Sequence, residues 1–272
     1  MNNIPYLSIQ NLTISFTNST KPILHNISFT VKCGETLALV GENGTGKTLI
    51  ATSITRLRSN VSISGEIILD QQSILNLSYS ELMAVRRHKV SYIFQEPNDS
   101  LNPSLTIGYH LLEIADGVNK KMRILDMLRR VGFVNPKKIF RSYPHELSGG
   151  MQQRAMIAMA LINHPKLLIA DEPTTALDVV LQKQILDLVK NLQAELNFAI
   201  LLITHDFSLL QQIADRVCVL HGGKIVERGT PDDIIFHPRH AHTKLLSEAI
   251  LMIPSREIED PEVTFPLRAR SP

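Results

Sequence analysis

Short apolar runs alternate with amphipathic stretches along most of the chain, the pattern of an α/β protein. Residues 7–14 and 26–31 alternate loosely between apolar and polar positions, which predicts antiparallel strands with one wet face. Residues 35–40 form a more continuous apolar run, read as a strand, followed by a glycine-rich loop and a helical stretch over 47–57. Residues 65–69 predict a further strand. Ser78 and Glu81 make an S-x-x-E capping box, so a helix is predicted to start near Tyr79. A strand over 89–94 ends at Gln95. From Asn98 to about Pro144 the strand signal fades and helical patterns dominate, which marks out a helical subdomain over about 98–160. Residues 150–162 and 180–196 predict helices, and 167–170 and 198–203 predict buried strands. Runs at 216–220 and 224–227 flank His221-Gly222-Gly223, a hairpin turn. Thr230-Pro231-Asp232-Asp233 supplies a cap, a proline at the first helical position and two acids for a short helix. Residues 254–272 carry four prolines and no period, so they predict an irregular tail.

Composition narrows the classes. In 272 residues, 44% hydrophobic and 20% charged, there is enough apolar material for a sizeable core and no sign of a disordered or fibrous chain. The balance of 28 basic to 26 acidic residues, net +2, argues against polyanion binding by bulk charge, and so against a nucleic-acid partner. Cys33 and Cys218 cannot make a disulfide framework; they read as core thiols of a cytosolic protein. No secretory leader is visible in residues 1–10, and the apolar runs at 156–162 and 198–203 are too short to span a bilayer. Any membrane role is therefore expected to be peripheral.

Three segments carry chemistry. Gly41-Glu42-Asn43-Gly44-Thr45-Gly46-Lys47-Thr48 matches G-x-x-x-x-G-K-[ST] between a predicted strand and a predicted helix. Glycines let successive backbone N–H groups turn inward as an anion nest, and the following helix points its positive end at the same place. Lys47 would bridge the terminal phosphates and Thr48 would ligate Mg²⁺. In the second segment, a buried strand ends in Asp171-Glu172-Pro173. Asp171 at the strand's carboxyl end can hold Mg²⁺, and Glu172 can polarise water. The third, Ser148-Gly149-Gly150 before a helix, is a second anion-binding surface. One triphosphate does not need two such surfaces from one chain, so this one suits a nucleotide held by another chain.

The stretch Leu147-Ser148-Gly149-Gly150-Met151-Gln152-Gln153 resembles the LSGGQ signature of the nucleotide-binding subunits of ABC transporters, with Met151 in the glutamine place as in the oligopeptide, dipeptide and nickel importer branch. The resemblance covers about 7–250. It implies a P-loop NTPase core of ABC type with an antiparallel β subdomain and a helical subdomain, as one nucleotide-binding domain over 1–253. On the same resemblance, Gln95 matches the Q-loop glutamine that contacts Mg²⁺ and water. Thr175-Ala176-Leu177-Asp178 matches the D-loop, His205 the switch histidine at the γ-phosphate, and Phe16 an aromatic that stacks on adenine. Residues 93–103 are similar to the branch's extended Q-loop, and 237–246 to its C-terminal segment, with Ala241 and His242 in place of Pro-Tyr. The spacing of His237, His240 and His242 is poor for zinc, so these histidines are read as part of that segment. With no cysteine after Cys218, no iron–sulfur cluster is expected in the tail. The basic stretch 119–141 reads either as a solvated helical face or as a surface drawn to anionic head groups or an acidic partner loop.

The resemblance therefore implies an ATPase, with ATP and Mg²⁺, that powers an importer for peptides, or for nickel or another small solute. Its partners would be a second nucleotide-binding subunit, two transmembrane permease subunits and, indirectly, a solute-binding protein, at the cytoplasmic face of the membrane. A soluble ABC ATPase acting on nucleic acid or the ribosome is the alternative. Such proteins usually carry two cassettes or a long coiled-coil insertion, and this chain shows neither.

Overall fold

The computed structural model describes residues 4–19, 21–95, 101–175 and 177–251. The tail 254–272, residue 176 of the D-loop and residues 96–100 of the extended Q-loop lie outside the described residues.

Two sheets organise the chain. A four-stranded antiparallel sheet joins β1 (Leu7–Phe16), β2 (Leu24–Val31), β4 (Val61–Leu69) and β5 (Gln72–Ser73) in the order β2-β1-β4-β5. A six-stranded sheet joins β3 (Thr36–Val40), β6 (Val90–Ile93), β7 (Leu167–Asp171), β8 (Ala199–Thr204), β9 (Arg216–His221) and β10 (Lys224–Gly229) in the order β10-β9-β3-β8-β7-β6. Its strands run parallel except for β10, which pairs antiparallel with β9. That hairpin turns through Gly222 and Gly223 at φ 54° and 73°, values that glycine adopts without strain.

The continuous apolar runs are explained by the two faces of the parallel sheet. Successive side chains of a strand point to opposite faces. Ala38 and Val40 of β3 and Ile200 and Leu202 of β8 join one apolar cluster, while Leu37, Leu39, Leu201 and Ile203 join another. The second cluster is closed by the antiparallel sheet, α1 (Lys47–Ile54) and α2 (Tyr79–His88). The first is closed by α3 (Ile107–Ile114), α4 (Lys120–Arg130), α5 (Pro136–Arg141), α6 (Gly149–Leu161), α7 (Val179–Leu196), α8 (Leu210–Ile213) and α9 (Pro231–Phe236). A last helix, α10 (Ala241–Leu251), follows. Between β6 and β7 the described residues hold helices and no strand, and their buried side chains share a cluster with the sheet.

Local signals act where the sequence placed them. Ser78 caps α2 with the reciprocal Glu81 contact, and Thr230 caps α9 through Asp233 with Pro231 at the first position. Differences have physical causes. Strand β4 begins at Val61 rather than Gly65, because Gly65 sits opposite an irregularity in β1. There φ is 96° and an added Cβ would meet the Asn11 carbonyl oxygen at 2.5 Å, so the glycine marks a close approach rather than a strand start. The segment matched to the family's C-terminal stretch forms a helix from Ala241. Cys33 is exposed, contrary to expectation, since it lies in the turn after Val31; Cys218 is buried in β9. In the basic stretch, Arg123 donates to the backbone carbonyls of Asp116 and Ile162, and Arg130 pairs with Asp126 and Glu195. These two arginines tie helices together.

Phe198 is fully buried at the entrance to β8. Phe198→Ala is expected to lower the unfolding free energy by about 3–5 kcal/mol. Urea denaturation checks this: a shift under 1 kcal/mol (a small fraction of that range) would mean the site collapses freely.

Candidate active site

The carboxyl ends of the parallel strands line up, and each delivers a functional group. The turn leaving β3 is the phosphate loop. Gly41, Gly44 and Gly46 have φ of 156°, 79° and 103°. An added Cβ at Gly41 would meet the Leu220 carbonyl oxygen at 2.3 Å, so β9 packs directly against the start of the loop. Gly46 occupies the N-cap of α1 in the left-handed region, which aims the first N–H groups of the helix into the loop.

Lys47 is 5% exposed, and its Nζ donates to the carbonyl oxygens of Gly41 at 2.7 Å and Glu42 at 2.8 Å. Burial lowers its pKa, opposed by the negative charges of Glu172, Asp171 and Glu42. The Thr45 hydroxyl donates to the Glu42 carbonyl at 2.8 Å. Together with the Thr45 N–H, which donates to the same Glu42 carbonyl at 3.4 Å, these bonds hold the loop's shape through its own carbonyls.

Next to it, β7 ends in Asp171 and Glu172. Thr48 Oγ1 donates to Asp171 Oδ1 at 3.3 Å, and Tyr92 OH donates to Asp171 Oδ2 at 2.7 Å. Burial raises the Asp171 pKa while the Tyr92 and Thr48 hydrogen bonds hold it down; burial and the nearby Asp171 charge raise that of Tyr92. Glu172 has φ 48°, uncommon for a residue with a side chain, and its N–H is fixed by the Ile203 carbonyl at 2.8 Å. Its carboxylate gathers three partners. Gln95 Nε2 donates at 3.1 Å and Thr175 Oγ1 at 3.0 Å to Oε2, and His205 Nδ1 lies 2.9 Å from Oε1.

A cleft of about 480 Å³ is lined by Phe16, Asn43, Lys47, Thr48, Gln95 and Glu172, among others. It joins the phosphate loop to Glu172 and to Phe16, which is exposed at the end of β1. Ser148, Gly149, Gly150 and Asp178 are not in its lining. Ser148 is exposed and caps α6, its Oγ accepting from Met151 N–H at 3.4 Å. Asp178 caps α7 by accepting from Leu181 N–H at 2.9 Å. Sequence reasoning missed Tyr92 and Arg58, which also lines the cleft, and read Thr175 as part of the D-loop without its bond to Glu172. Tyr92 stands in a strand where an aromatic signals packing, and only the β6–β7 pairing brings its hydroxyl to Asp171.

A phosphate loop after a parallel strand, with a second strand ending in paired acids, defines a P-loop nucleotide hydrolase. The ABC transporter family profile matches residues 24–175. The oligopeptide transport ATP-binding protein AppD of Bacillus subtilis is 43% identical over 258 residues, covering 91% of this chain and 79% of that protein. The dipeptide transport ATP-binding protein DppD of the same organism is 43% identical over 270 residues, covering 95% and 79%. The peptidoglycan transport ATP-binding protein YejF of Agrobacterium fabrum is 45% identical over 259 residues, covering 91% of this chain; the chain spans 47% of that relative's length. Among solved structures, the dimeric post-hydrolysis ATP-binding cassette MJ0796 bound to ADP and Pi superposes with a TM-score of 0.71 at 28% identity, covering 83% of this chain and 98% of that one. CbiO1 from Clostridium perfringens, part of the ABC transporter complex cbiONQ, gives 0.76 at 26% identity, covering 92% and 96%. The chain belongs to the ABC transporter family and carries its ATP-binding, ATP-hydrolysing cassette. No helix among the described residues is long and apolar enough to cross a membrane.

The Tyr92 hydroxyl opposes the effect of burial on Asp171. A raised carboxyl pKa means protonation at a higher pH than for an exposed aspartate as the solution is acidified. Tyr92→Phe removes one of the two bonds that restrain the rise. The acid limb of the pH–rate profile for ATP hydrolysis is therefore expected to move to higher pH. An unmoved limb would show that Tyr92 does not set the charge of Asp171.

Proposed function

We propose that this cassette drives peptide import, as one of two nucleotide-binding subunits beneath two permease subunits at the cytoplasmic face of the membrane, with a solute-binding protein delivering the cargo. The names of the relatives support the solute class. The observation that carries the catalytic reading is the Glu172 carboxylate, shared by Gln95, Thr175 and His205 beside the phosphate loop.

ATP enters with its phosphates on the loop and its base against Phe16. Lys47 exchanges the Gly41 and Glu42 carbonyls for phosphate oxygens, and the charge that burial disfavours gains a full counter-charge. Asp171 and Thr48 present hard oxygen donors to each other at 3.3 Å, a set that fits Mg²⁺, with Gln95 as a further oxygen donor. When bound, Mg²⁺ neutralises phosphate charge. Glu172 accepts a proton from water as the water oxygen bonds to the γ-phosphorus. The bond to the β–γ bridging oxygen breaks, and ADP and phosphate leave. His205 reaches the γ-phosphate and Gln95 orients the water.

Ser148, Gly149 and Gly150 serve the nucleotide of the opposing subunit, and Asp178 lies along the same interface. The support is their position: a helix N-terminus at which Ser148 and Gly149 are exposed, outside the lining of the cleft of its own chain. Val179 and Val180, 78% and 61% exposed beside Asp178, add apolar surface for a partner to cover.

Glu172→Gln is expected to bind ATP and hydrolyse it roughly 10²–10⁴-fold more slowly, measured as phosphate release. Normal turnover would leave Glu172 a purely structural acceptor. Ser148→Arg is expected to leave ATP affinity of the isolated chain within about twofold, since the loop is untouched, while abolishing ATP-driven dimerisation and hydrolysis. Loss of affinity as severe as that of Lys47→Ala would place Ser148 in the chain's own site and overturn the shared-site arrangement.

A further inference from the structure

Three side chains from distant parts of the chain meet beside the phosphate loop. Glu42 is the loop's second residue, His221 ends β9, and His242 lies in the first turn of α10. One potential ligand atom from each lies within 4.8 Å of the other two. The rings of His221 and His242 lie against each other with centroids 3.6 Å apart and planes tilted by 30°. His221 Nδ1 and His242 Nε2 are buried with no hydrogen-bond partner. Buried polar atoms are almost always satisfied, so two orphan nitrogens on adjoining rings call for an explanation. The nucleotide chemistry does not supply it, since neither histidine lines the ATP cleft.

We propose that Glu42, His221 and His242 form a binding site for a borderline divalent transition metal, with Zn²⁺ as the best match. Two imidazoles and one carboxylate are a three-ligand zinc set, with water in the fourth position. Mg²⁺ is a poor match, because it takes oxygen ligands in octahedral array. Tetrahedral bonds of ~2.0–2.1 Å put ligand atoms about 3.3 Å apart. Closure therefore draws the three atoms together and rotates the two adjoining rings until the lone pairs converge. The neighbouring His240 orients rather than ligates: its Nδ1 accepts the His242 backbone N–H at 3.2 Å, and its ring centroid is 6.4 Å from that of His221.

The site has a mechanical consequence. The carbonyl of Glu42 receives Lys47 and Thr45, so its backbone is part of the phosphate loop's internal bonding. An ion held by its carboxylate and by His242 clamps that loop to the C-terminal helix. Transition-metal occupancy thereby stiffens the phosphate loop, separately from the Mg²⁺ that accompanies ATP.

The test uses the full chain without a histidine tag, freed of metal by chelator and dialysis. Zn²⁺ is titrated against a chromophoric competitor, and Co²⁺ serves as the spectroscopic probe. We expect one tight equivalent, an intense tetrahedral Co²⁺ absorption and a raised melting temperature with Zn²⁺. His221→Asn and His242→Asn should each weaken Zn²⁺ binding at least about tenfold, since loss of supporting residues alone costs 10–100-fold at metal sites. Both should lose the Co²⁺ band, whereas His237→Asn should keep it. Circular dichroism and retained ATP binding establish that the variants fold. The wild-type Co²⁺ titration decides even where a variant does not fold: no binding, or a weak octahedral spectrum, overturns the site. Retained affinity in both folded variants, or loss in His237→Asn alone, overturns it as well.

Discussion

Parallel pairing of fully buried strands is the constraint on which the remaining structure depends. β3, β7 and β8 have apolar side chains on both faces, and each face fills a separate core. Such strands leave little room for polar chemistry until they end. Chemistry therefore gathers at their carboxyl ends, and lateral pairing sets those ends side by side at about 4.8 Å intervals. β3 yields the phosphate loop, β7 the acids, β8 His205, β6 Gln95, and β9 His221.

That alignment concentrates charge in a poorly hydrated place. Burial lowers the Lys47 pKa and raises that of Asp171, so both are pushed toward neutrality. The site answers with short polar contacts: Lys47 on two carbonyls, Asp171 between Thr48 and Tyr92, Glu172 among Gln95, Thr175 and His205. In the proposed reading, a triphosphate with its cation would supply the counter-charges these groups lack, so the tension in the free site would favour substrate. The left-handed backbone at Glu172 belongs to the same arrangement, since the N–H to Ile203 secures the turn that carries the carboxylate.

Much of this was legible in the residues. The glycine spacing of 41–46 states its own backbone requirement, and Asp171-Glu172 stands at the end of an apolar run long enough for one buried strand. Ser78, Thr230 and the glycine pair at 222–223 are local devices, which act over three or four residues and read correctly without tertiary context. Strand β4 was cut short because Gly65 resembles a boundary unless the facing irregularity in β1 is known. The histidines near 240 appeared as a poor zinc spacing within one segment, whereas the structure sets His242 against His221 and Glu42.

By itself, then, the chain determined its elements, its family and the chemical type of its nucleotide loop, because periodicity, capping and phosphate nests are short-range. The tertiary structure alone decided which groups meet. The Tyr92 hydroxyl reaches Asp171 only through strand pairing, Gln95 and His205 reach Glu172 only because β6, β7 and β8 lie side by side, and His221 and His242 come near Glu42 only because β9 packs on the loop and α10 returns to the end of β9. Side chains far apart along the chain have no local pattern to announce their meeting, since burial and lateral pairing bring them together only when the sheet closes.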